Sequence, residues 1–396
     1  MRAPVSLAMM AFIAGARLLE GQAGPLGSRQ IDLEQTARQA ANNQEKGHYG
    51  LAAEDYRRLL HAGRDSPELR SNLGLMLYLS GDYRDAVEQF RNALARQPQL
   101  VASNLFAGLS LIRLGQPLEA LPLIRRAVAQ QPDSLAPLLG LSRAYVMLRD
   151  PRAARDAYRK ATGLDPGNAE AWYGRGIMSR ALADQMFKQE AARGAKSSSQ
   201  SSSLQATLDE AKDSLMRAME LDPDSTKAHL ILGEAFRISG QFSESADQYQ
   251  AIVKSKPDCA PAWLGLATTF WKSDRSEEAI QSLDKVLALS PEDAEANGIM
   301  AHLLVSQKQM ERAKPFAQRA LSVRSDLAFV RVALAKIYIS EGLLQQALPE
   351  LEQAAPSDTD GSYHYVLAQV FRKLGRDREA VAALEQSREI RQSHPS

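Results

Sequence analysis

Few residues in this sequence are arranged as catalytic or metal-binding groups would need to be. Ser282 and Lys285 have the spacing of a serine–lysine pair, in which the amine would activate the hydroxyl, but the motifs that accompany such a pair are missing from the sequence. The six histidines show no metal-ligand spacing. The sequence also holds no phosphate-binding loop, zinc-protease motif or nucleophile elbow. We therefore expect no enzyme activity, no catalytic residue, no cofactor and no metal site.

Charge and cysteine content narrow the classes of partner. The chain has 48 basic and 47 acidic residues, and this balance does not favour nucleic acid or acidic lipid, which both need a concentrated basic surface. The single cysteine, Cys259, cannot form an internal disulfide. It is expected to be a free structural residue, with a bridge to another molecule or a reactive thiol as alternatives. Proteins are thus the expected partners, and the sequence indicates no oligomeric state.

The first residues, 1–23, have the order of a secretory signal peptide. Arg2 precedes an apolar run that extends to Ala16, and small residues recur at 14–16 and 21–23, where cleavage would occur. The run is shorter than the roughly 20 residues of a transmembrane helix, and no other segment approaches that length. We therefore expect an exported bacterial protein, periplasmic or secreted, with a linker at 24–32 and no membrane span after leader removal. A cytoplasmic location is the alternative, because Arg2 is the only basic residue ahead of the run.

The rest of the chain repeats with a period of 34 residues, and these repeats must position any functional side chain. The pattern is clearest in LGLMLYLSGDYRDAVEQFRNALARQP at 73–98, whose glycines, alanines and proline recur one period later. One frame with a single interruption accommodates ten units: 33–66, 67–100, 101–134, 135–168, 169–225, 226–259, 260–293, 294–327, 328–360 and 361–394.

Two positions in every unit carry small residues. Position 8 is Gly, Ser or Ala, as in Gly74 and Gly108, and position 20 is Ala in nine units, as in Ala86, and Ser245 in the other. Apolar residues three and four apart surround both positions and predict two amphipathic helices. Because a small residue midway along each helix lets the two backbones approach closely, each unit is predicted to be a helix hairpin.

This pattern resembles the tetratricopeptide repeat, including Trp172 and Trp263 at a position where that family favours tryptophan. The resemblance covers residues 33–394 and implies an all-α fold, a right-handed α-solenoid of tandem helix-turn-helix repeats. The interruption lies in the fifth unit, where residues 183–205 form a Ser-rich insert. We expect a flexible loop there, with a binding or regulatory element as the alternative.

The resemblance also implies where partners would bind. In this family the first helix of each repeat lines a concave groove, with roughly positions 2, 5, 9, 12 and 13 facing it. The family's lysine–asparagine carboxylate clamp is missing here, and its asparagine ladder is reduced to Asn72. We expect a groove that is apolar at its N-terminal end and partly basic beyond Arg180; the alternative is that these side chains pack between repeats. The residues assigned to protein binding are Leu75, Tyr78, Leu105, Leu109, Ile112, Leu139, Tyr173, Arg180, Arg237 and Trp271.

The expected function is therefore that of a non-catalytic scaffold, which binds a peptide segment or an amphipathic helix of one or more partner proteins in an exported complex. Two alternatives remain open. One is a cytoplasmic adaptor or co-chaperone, and the other is a non-catalytic subunit of a glycosyl-transfer or secretion complex.

The repeat frame predicts the effect of a substitution at position 20. Ala86→Leu should overpack the helix crossing of the second repeat and lower the free energy of unfolding by about 1–3 kcal/mol. Thermal unfolding measures this loss, and an unchanged melting curve would show that the frame is misplaced.

Overall fold

The computed structural model describes residues 28–193 and 198–393, and the regular structure in these two ranges is helical throughout. The predicted all-α solenoid of tandem repeats is therefore confirmed. The expected signal peptide lies outside the described residues, and so do residues 24–27 of the expected linker. The remaining linker residues, from Ser28, already belong to the first helix. No helix in the described ranges is long and apolar enough to cross a membrane.

The described helices pair into hairpins that follow the predicted repeats, and the chain divides into two compact units after Asp224. The first unit contains α1 (Ser28–Glu45), α2 (Tyr49–His61), α3 (Pro67–Ser80), α4 (Tyr83–Arg96), α5 (Val101–Arg113), α6 (Pro117–Gln130), α7 (Leu135–Met147), α8 (Pro151–Leu164), α9 (Ala169–Arg193) and α10 (Ser198–Leu221). The second contains α11 (Thr226–Ile238), α12 (Phe242–Ser255), α13 (Ala260–Lys272), α14 (Ser276–Leu289), α15 (Ala294–Ser306), α16 (Met310–Val323), α17 (Ala328–Ser340), α18 (Leu344–Ala354), a short 3-10 helix (Ala355–Ser357), α19 (Ser362–Lys373) and α20 (Asp377–Ser393).

The two helices of a hairpin cross at the small residues of positions 8 and 20. A Cβ atom added to Gly108 in α5 would lie only 2.4 Å from Cγ1 of Ile124 in α6, and one added to Gly74 would lie 2.8 Å from the Phe90 ring. These distances are well below van der Waals contact, so the backbones approach as closely as glycine allows. The position-20 alanines without any solvent exposure are Ala52, Ala86, Ala120, Ala154, Ala211, Ala279, Ala313 and Ala347.

The one serine at position 20, Ser245, allows the same helix crossing because its hydroxyl group forms hydrogen bonds inside the crossing. Ser245 is fully buried, and its Oγ donates to the carbonyl oxygen of Gly233 at 2.8 Å, across the crossing. The hydroxyl also lies 2.9 Å from that of Thr269 in the next repeat. Because both contacts satisfy a polar group that is removed from water, the substitution is accommodated.

In nine of the ten repeats the turn inside the hairpin has a left-handed residue at position 15; in the fifth repeat this position is Ala183, inside α9. Glycine supplies it in several repeats, with φ of 96° at Gly81, but the same conformation occurs at Arg149 (56°), Asp274 (59°) and Lys308 (63°). A side chain in this region costs roughly 1–2 kcal/mol per residue. The packing of the two flanking helices therefore determines the turn even where the sequence does not favour it.

The expected flexible loop of the fifth repeat is not what the structure shows in its described part. α9 continues to Arg193 and α10 begins at Ser198, so the insert lengthens both helices; residues 194–197 lie outside the described ranges. The lengthened helices pack together, since Ala183 is buried and the Thr207 hydroxyl lies 3.8 Å from the sulfur of Met186. The serine content of the insert led to the prediction of a flexible loop. The prediction was wrong for the described part because tertiary packing of a helix outweighs the low intrinsic helix propensity of its residues.

Gly108→Ala tests the close crossing. The added methyl group would collide with Ile124 and approach the Ala120 carbonyl oxygen to 3.3 Å, so we expect a loss of about 1–3 kcal/mol in the free energy of unfolding. Gly50→Ala is the matched control, because this helical glycine has no atom within 4 Å of the added Cβ. Denaturant titration should show the control unchanged or stabilised by up to about 1 kcal/mol. Equal effects of the two substitutions would contradict the proposed role of the crossing.

Candidate protein-binding surface

First helices of consecutive repeats lie side by side within each unit. In the first unit α3 packs against α5 and α5 against α7, and in the second unit α11, α13, α15 and α17 pack in the same way. Side chains at positions 2, 5, 9, 12 and 13 of neighbouring first helices share one face. In the first unit, for example, Arg143 at position 9 forms a salt bridge of 2.5 Å with Glu170 at position 2 of the next repeat. We call this surface the first-helix face.

The ten residues assigned to protein binding differ in how much of each side chain is available. Leu75 and Leu105 are only 6% and 5% exposed, so they support the face from below. The other eight are half-buried, and each leaves part of its side chain on the surface; they are Tyr78, Leu109, Ile112, Leu139, Tyr173, Arg180, Arg237 and Trp271. Leu75 and Leu105 thus pack within the repeats, whereas the assignment of the other eight to partner binding stays a prediction.

The first-helix face of the first unit is apolar around α5 and α7. Val146 and Met147, at positions 12 and 13 of their repeat, are 38% and 41% exposed. They share the face with the half-buried Leu109 and Leu139. Met147 was not among the residues singled out from the sequence, although its position in the repeat was sufficient to find it.

Tyr78 is held in place by aromatic contacts. Its ring centroid lies 5.2 Å from that of Phe106 in the next repeat and 5.6 Å from that of Tyr83 after the turn, the latter edge to face. Aromatic pairs at these separations add about 0.5–1.5 kcal/mol beyond the area they bury. The tyrosine is therefore held in one position on the first-helix face. A partner that contacts its exposed edge would not have to restrict the side chain further.

The two arginines assigned to binding are engaged in ion pairs on their own helices. Arg180 lies 3.3 Å from Asp184, and Arg237 donates to both carboxylate oxygens of Glu234, at 2.9 and 2.6 Å. Pairing within one helix neutralises much of the charge that a ligand would meet. The basic character expected beyond Arg180 therefore comes from other residues.

Trp271 lies in a cluster of three rings contributed by three consecutive first helices of the second unit. The Trp271 centroid is 5.4 Å from that of His302 in α15 and 5.7 Å from that of Phe329 in α17. His302 and Phe329 are 6.3 Å apart, edge to face. The ammonium group of Lys272 lies 4.5 Å from the Trp271 centroid, within cation–π range. The tryptophan was predicted from the sequence, whereas its ring partners were not recognised as a cluster.

The surroundings of His302 disfavour its protonated form. Burial in the ring cluster lowers the pKa of the imidazole below its usual value, and the positive charges of Lys336 and Lys272 lower the pKa further. The imidazole is therefore neutral at neutral pH and contributes a ring face rather than a charge.

The residues that could do chemistry are not arranged for it in the described structure. The Ser282 hydroxyl is buried and donates to the backbone carbonyl oxygen of Glu278 at 2.8 Å, while Lys285 is exposed. Within the described ranges, no group of three or more His, Cys, Asp and Glu side chains could hold a metal ion. Cys259 is half-buried at the start of α13. The surface described above is formed by a scaffold of tandem helical repeats.

Comparison with known families agrees with this class of protein. Residues 176–395, more than half of the chain, match the family model described as the C-terminal domain of cilia and flagella-associated protein 70. Residues 111–176 match one tetratricopeptide-repeat model, and residues 39–100 and 80–134 match another. The chain belongs to the tetratricopeptide-repeat family, and its residues 176–395 belong to the family of that C-terminal domain. No curated protein matches the chain.

Several solved tetratricopeptide-repeat structures are similar to the chain. YrrB, described as having an unusual peptide-binding site, is 20% identical, and the match covers 53% of this chain and 96% of YrrB with a TM-score of 0.44. A repeat protein from Parabacteroides merdae is 18% identical over 68% of this chain and 98% of its own, with a TM-score of 0.46. Yeast Tom70 is 12% identical, and the match covers 92% of this chain and 93% of Tom70 with a TM-score of 0.42.

The lowered pKa of His302 predicts a pH dependence of stability. The His302 imidazole binds a proton more readily in the unfolded chain than in the folded one. Its contribution to the free energy of unfolding is therefore fully present above the unfolded pKa of about 6.5 and is lost as the pH falls toward the lower pKa of the folded state. In His302→Gln this contribution disappears, so the melting temperature should fall less than that of the wild type between neutral pH and pH of about 5. His229→Gln is the control, since this histidine lies outside the ring cluster and its Nδ1 lies 2.9 Å from Oε1 of Gln248. An equal pH response of wild type and His302→Gln would contradict this assignment.

Proposed function

We propose that this protein is a non-catalytic interaction scaffold that binds a peptide segment or an amphipathic helix of a partner protein on the first-helix face of its first unit. The observation that carries the proposal is the exposed apolar pair Val146 and Met147 on α7, beside half-buried leucines on α5 and α7. Grouped exposed apolar side chains usually mark interaction sites in soluble proteins. An apolar strip between parallel helices suits the apolar face of an amphipathic helix.

We further propose that the protein acts in an exported, periplasmic or secreted complex. The support is the order of the first residues, in which Arg2 precedes an apolar run and small residues follow. A cytoplasmic adaptor or co-chaperone is the alternative, and so is a non-catalytic subunit of a glycosyl-transfer or secretion complex. Cell fractionation with mass spectrometry of the mature N-terminus distinguishes the locations: a cleaved N-terminus in an exported fraction supports the proposal, and an intact one in the cytoplasm overturns it.

Site-specific cross-linking in the native host tests the proposed surface. A photoreactive amino acid at Met147 should capture a discrete partner, whereas the same group at Leu118 should not, because Leu118 is 74% exposed but lies on a second helix. A Val146→Asp, Met147→Asp double variant should lose that partner, since two carboxylates would have to be desolvated in an apolar contact. Leu118→Asp should retain it.

Both variants change exposed side chains, so circular dichroism should show unchanged helicity. Capture of the same partner from Leu118, or retention by the double aspartate variant, would place the contact elsewhere on the molecule. A pulled-down enzyme with no first-unit cross-link would favour the enzyme-subunit alternative.

A further inference from the structure

The first-helix faces of the two units differ in charge. In the first unit, positions 2, 5, 9, 12 and 13 of the five repeats hold four acidic and three basic residues. The same positions in the second unit hold two acidic residues, Glu234 and Glu295, and six basic ones. These six are Lys227, Arg237, Lys272, Lys336, Arg372 and Lys373. A chain with a net charge of +1 thus presents one basic face.

The few carboxylates of this face are occupied by arginines. Glu234 is bonded by Arg237, and the charge of Glu295 acts on Arg237 and on Arg324. Lys272 and Lys336 are exposed, and neither forms an ion pair with a carboxylate of the described residues. Burial lowers the pKa of the His302 imidazole, and the positive charges of these two lysines lower it further. A positive potential therefore converges on the ring cluster and is not compensated by the protein itself.

The rings of this cluster pack together and are partly exposed. Trp271, His302 and Phe329 are half-buried, and each packs against the other two. Gly298 at position 5 of the central repeat allows the next repeat to approach closely: a Cβ atom there would lie 2.7 Å from Cγ2 of Val330 and 3.1 Å from the Phe329 ring. The partly exposed rings therefore form the surface that a ligand would meet.

We propose that Trp271, His302 and Phe329, flanked by the ammonium groups of Lys272 and Lys336, bind an acidic peptide segment that carries an aromatic or large apolar side chain. The apolar side chain would lie against the exposed parts of the three rings, and carboxylates on either side would meet the lysines. Desolvation beside the rings strengthens such charge pairs relative to fully exposed ones. This proposal rests on the scaffold function proposed above but concerns a different site from the apolar face of the first unit.

The charge of the site selects this occupant over others. Residues 1–27 contain one acidic residue, Glu20, so the leader of the chain does not have the required chemistry. Single-stranded nucleic acid also combines negative charge with stacking rings, but it needs a basic groove that follows several successive phosphates. Two lysines flank the one ring cluster, which fits a short acidic peptide better.

Fluorescence anisotropy with the full-length protein provides the test. The probe is a short fluorescein-labelled peptide of glutamates with one central phenylalanine, and the matched peptide has lysine in place of glutamate. We expect the wild type to bind the acidic peptide, more weakly as salt is raised, and not the basic one. Lys272→Glu, Lys336→Glu should weaken binding by roughly tenfold, since two attractions become repulsions.

Lys285→Glu is the matched control, because Lys285 is an exposed lysine on the second helix α14, and it should bind like the wild type. Phe329→Leu keeps an apolar side chain but removes the ring. It should weaken binding of the acidic peptide and leave the circular dichroism spectrum of the fold unchanged. No binding by wild type, or equal loss in Lys285→Glu, overturns the proposal. So does tighter binding of a labelled single-stranded oligonucleotide, or a dimer that the double charge reversal dissociates. In each of these cases the Met147 cross-link can still succeed, so the scaffold function is judged separately.

Discussion

The distance between the two helices of each hairpin is set where small side chains meet, and the remaining geometry of each unit follows from it. At Gly108 the side chain of Ile124 occupies the space that a methyl group would need, and at Gly74 the Phe90 ring does the same. Neighbouring hairpins then pack mainly through the second helix of one repeat against the first helix of the next, and their first helices also lie against each other. A change of one methyl group at the crossing would therefore be transmitted to the face that carries the binding residues.

In this packing, one set of positions holds the helices together and another set forms the exposed surface. The crossing residues recur in every repeat, whereas positions 2, 5, 9, 12 and 13 vary freely, since they contribute little to the hairpin itself. The first unit uses these positions for apolar side chains such as Val146 and Met147, and the second unit for rings and lysines around Trp271. Two surfaces of different chemistry thus arise on one type of repeat.

Several buried polar groups of the described residues bond within the fold. The Ser282 hydroxyl bonds a backbone carbonyl group, and that of Ser245 bridges a helix crossing. In the first repeat, Asn43 stands where the family favours an aromatic residue, and its side-chain amide donates to the buried carboxylate of Asp55 at 2.8 Å. Each of these groups is satisfied within the protein, as removal from water requires.

The sequence by itself determined the fold class, the helix pairs and the crossing residues, because a 34-residue period repeats the same local information along the chain. It also placed Tyr78 and Trp271 on the first-helix face through their positions in the repeat. Only the tertiary structure decided the rest. It showed that the Ser-rich insert lengthens α9 and α10, that Arg149, Asp274 and Lys308 adopt left-handed turns, that Arg237 is paired, and that three rings from separate repeats meet beside two lysines. The physical reason is that the ring cluster depends on contacts between separate repeats, and the turns and the lengthened helices depend on packing between the two helices of a hairpin. A local pattern of residue types carries no record of which side chains will face each other in that packing.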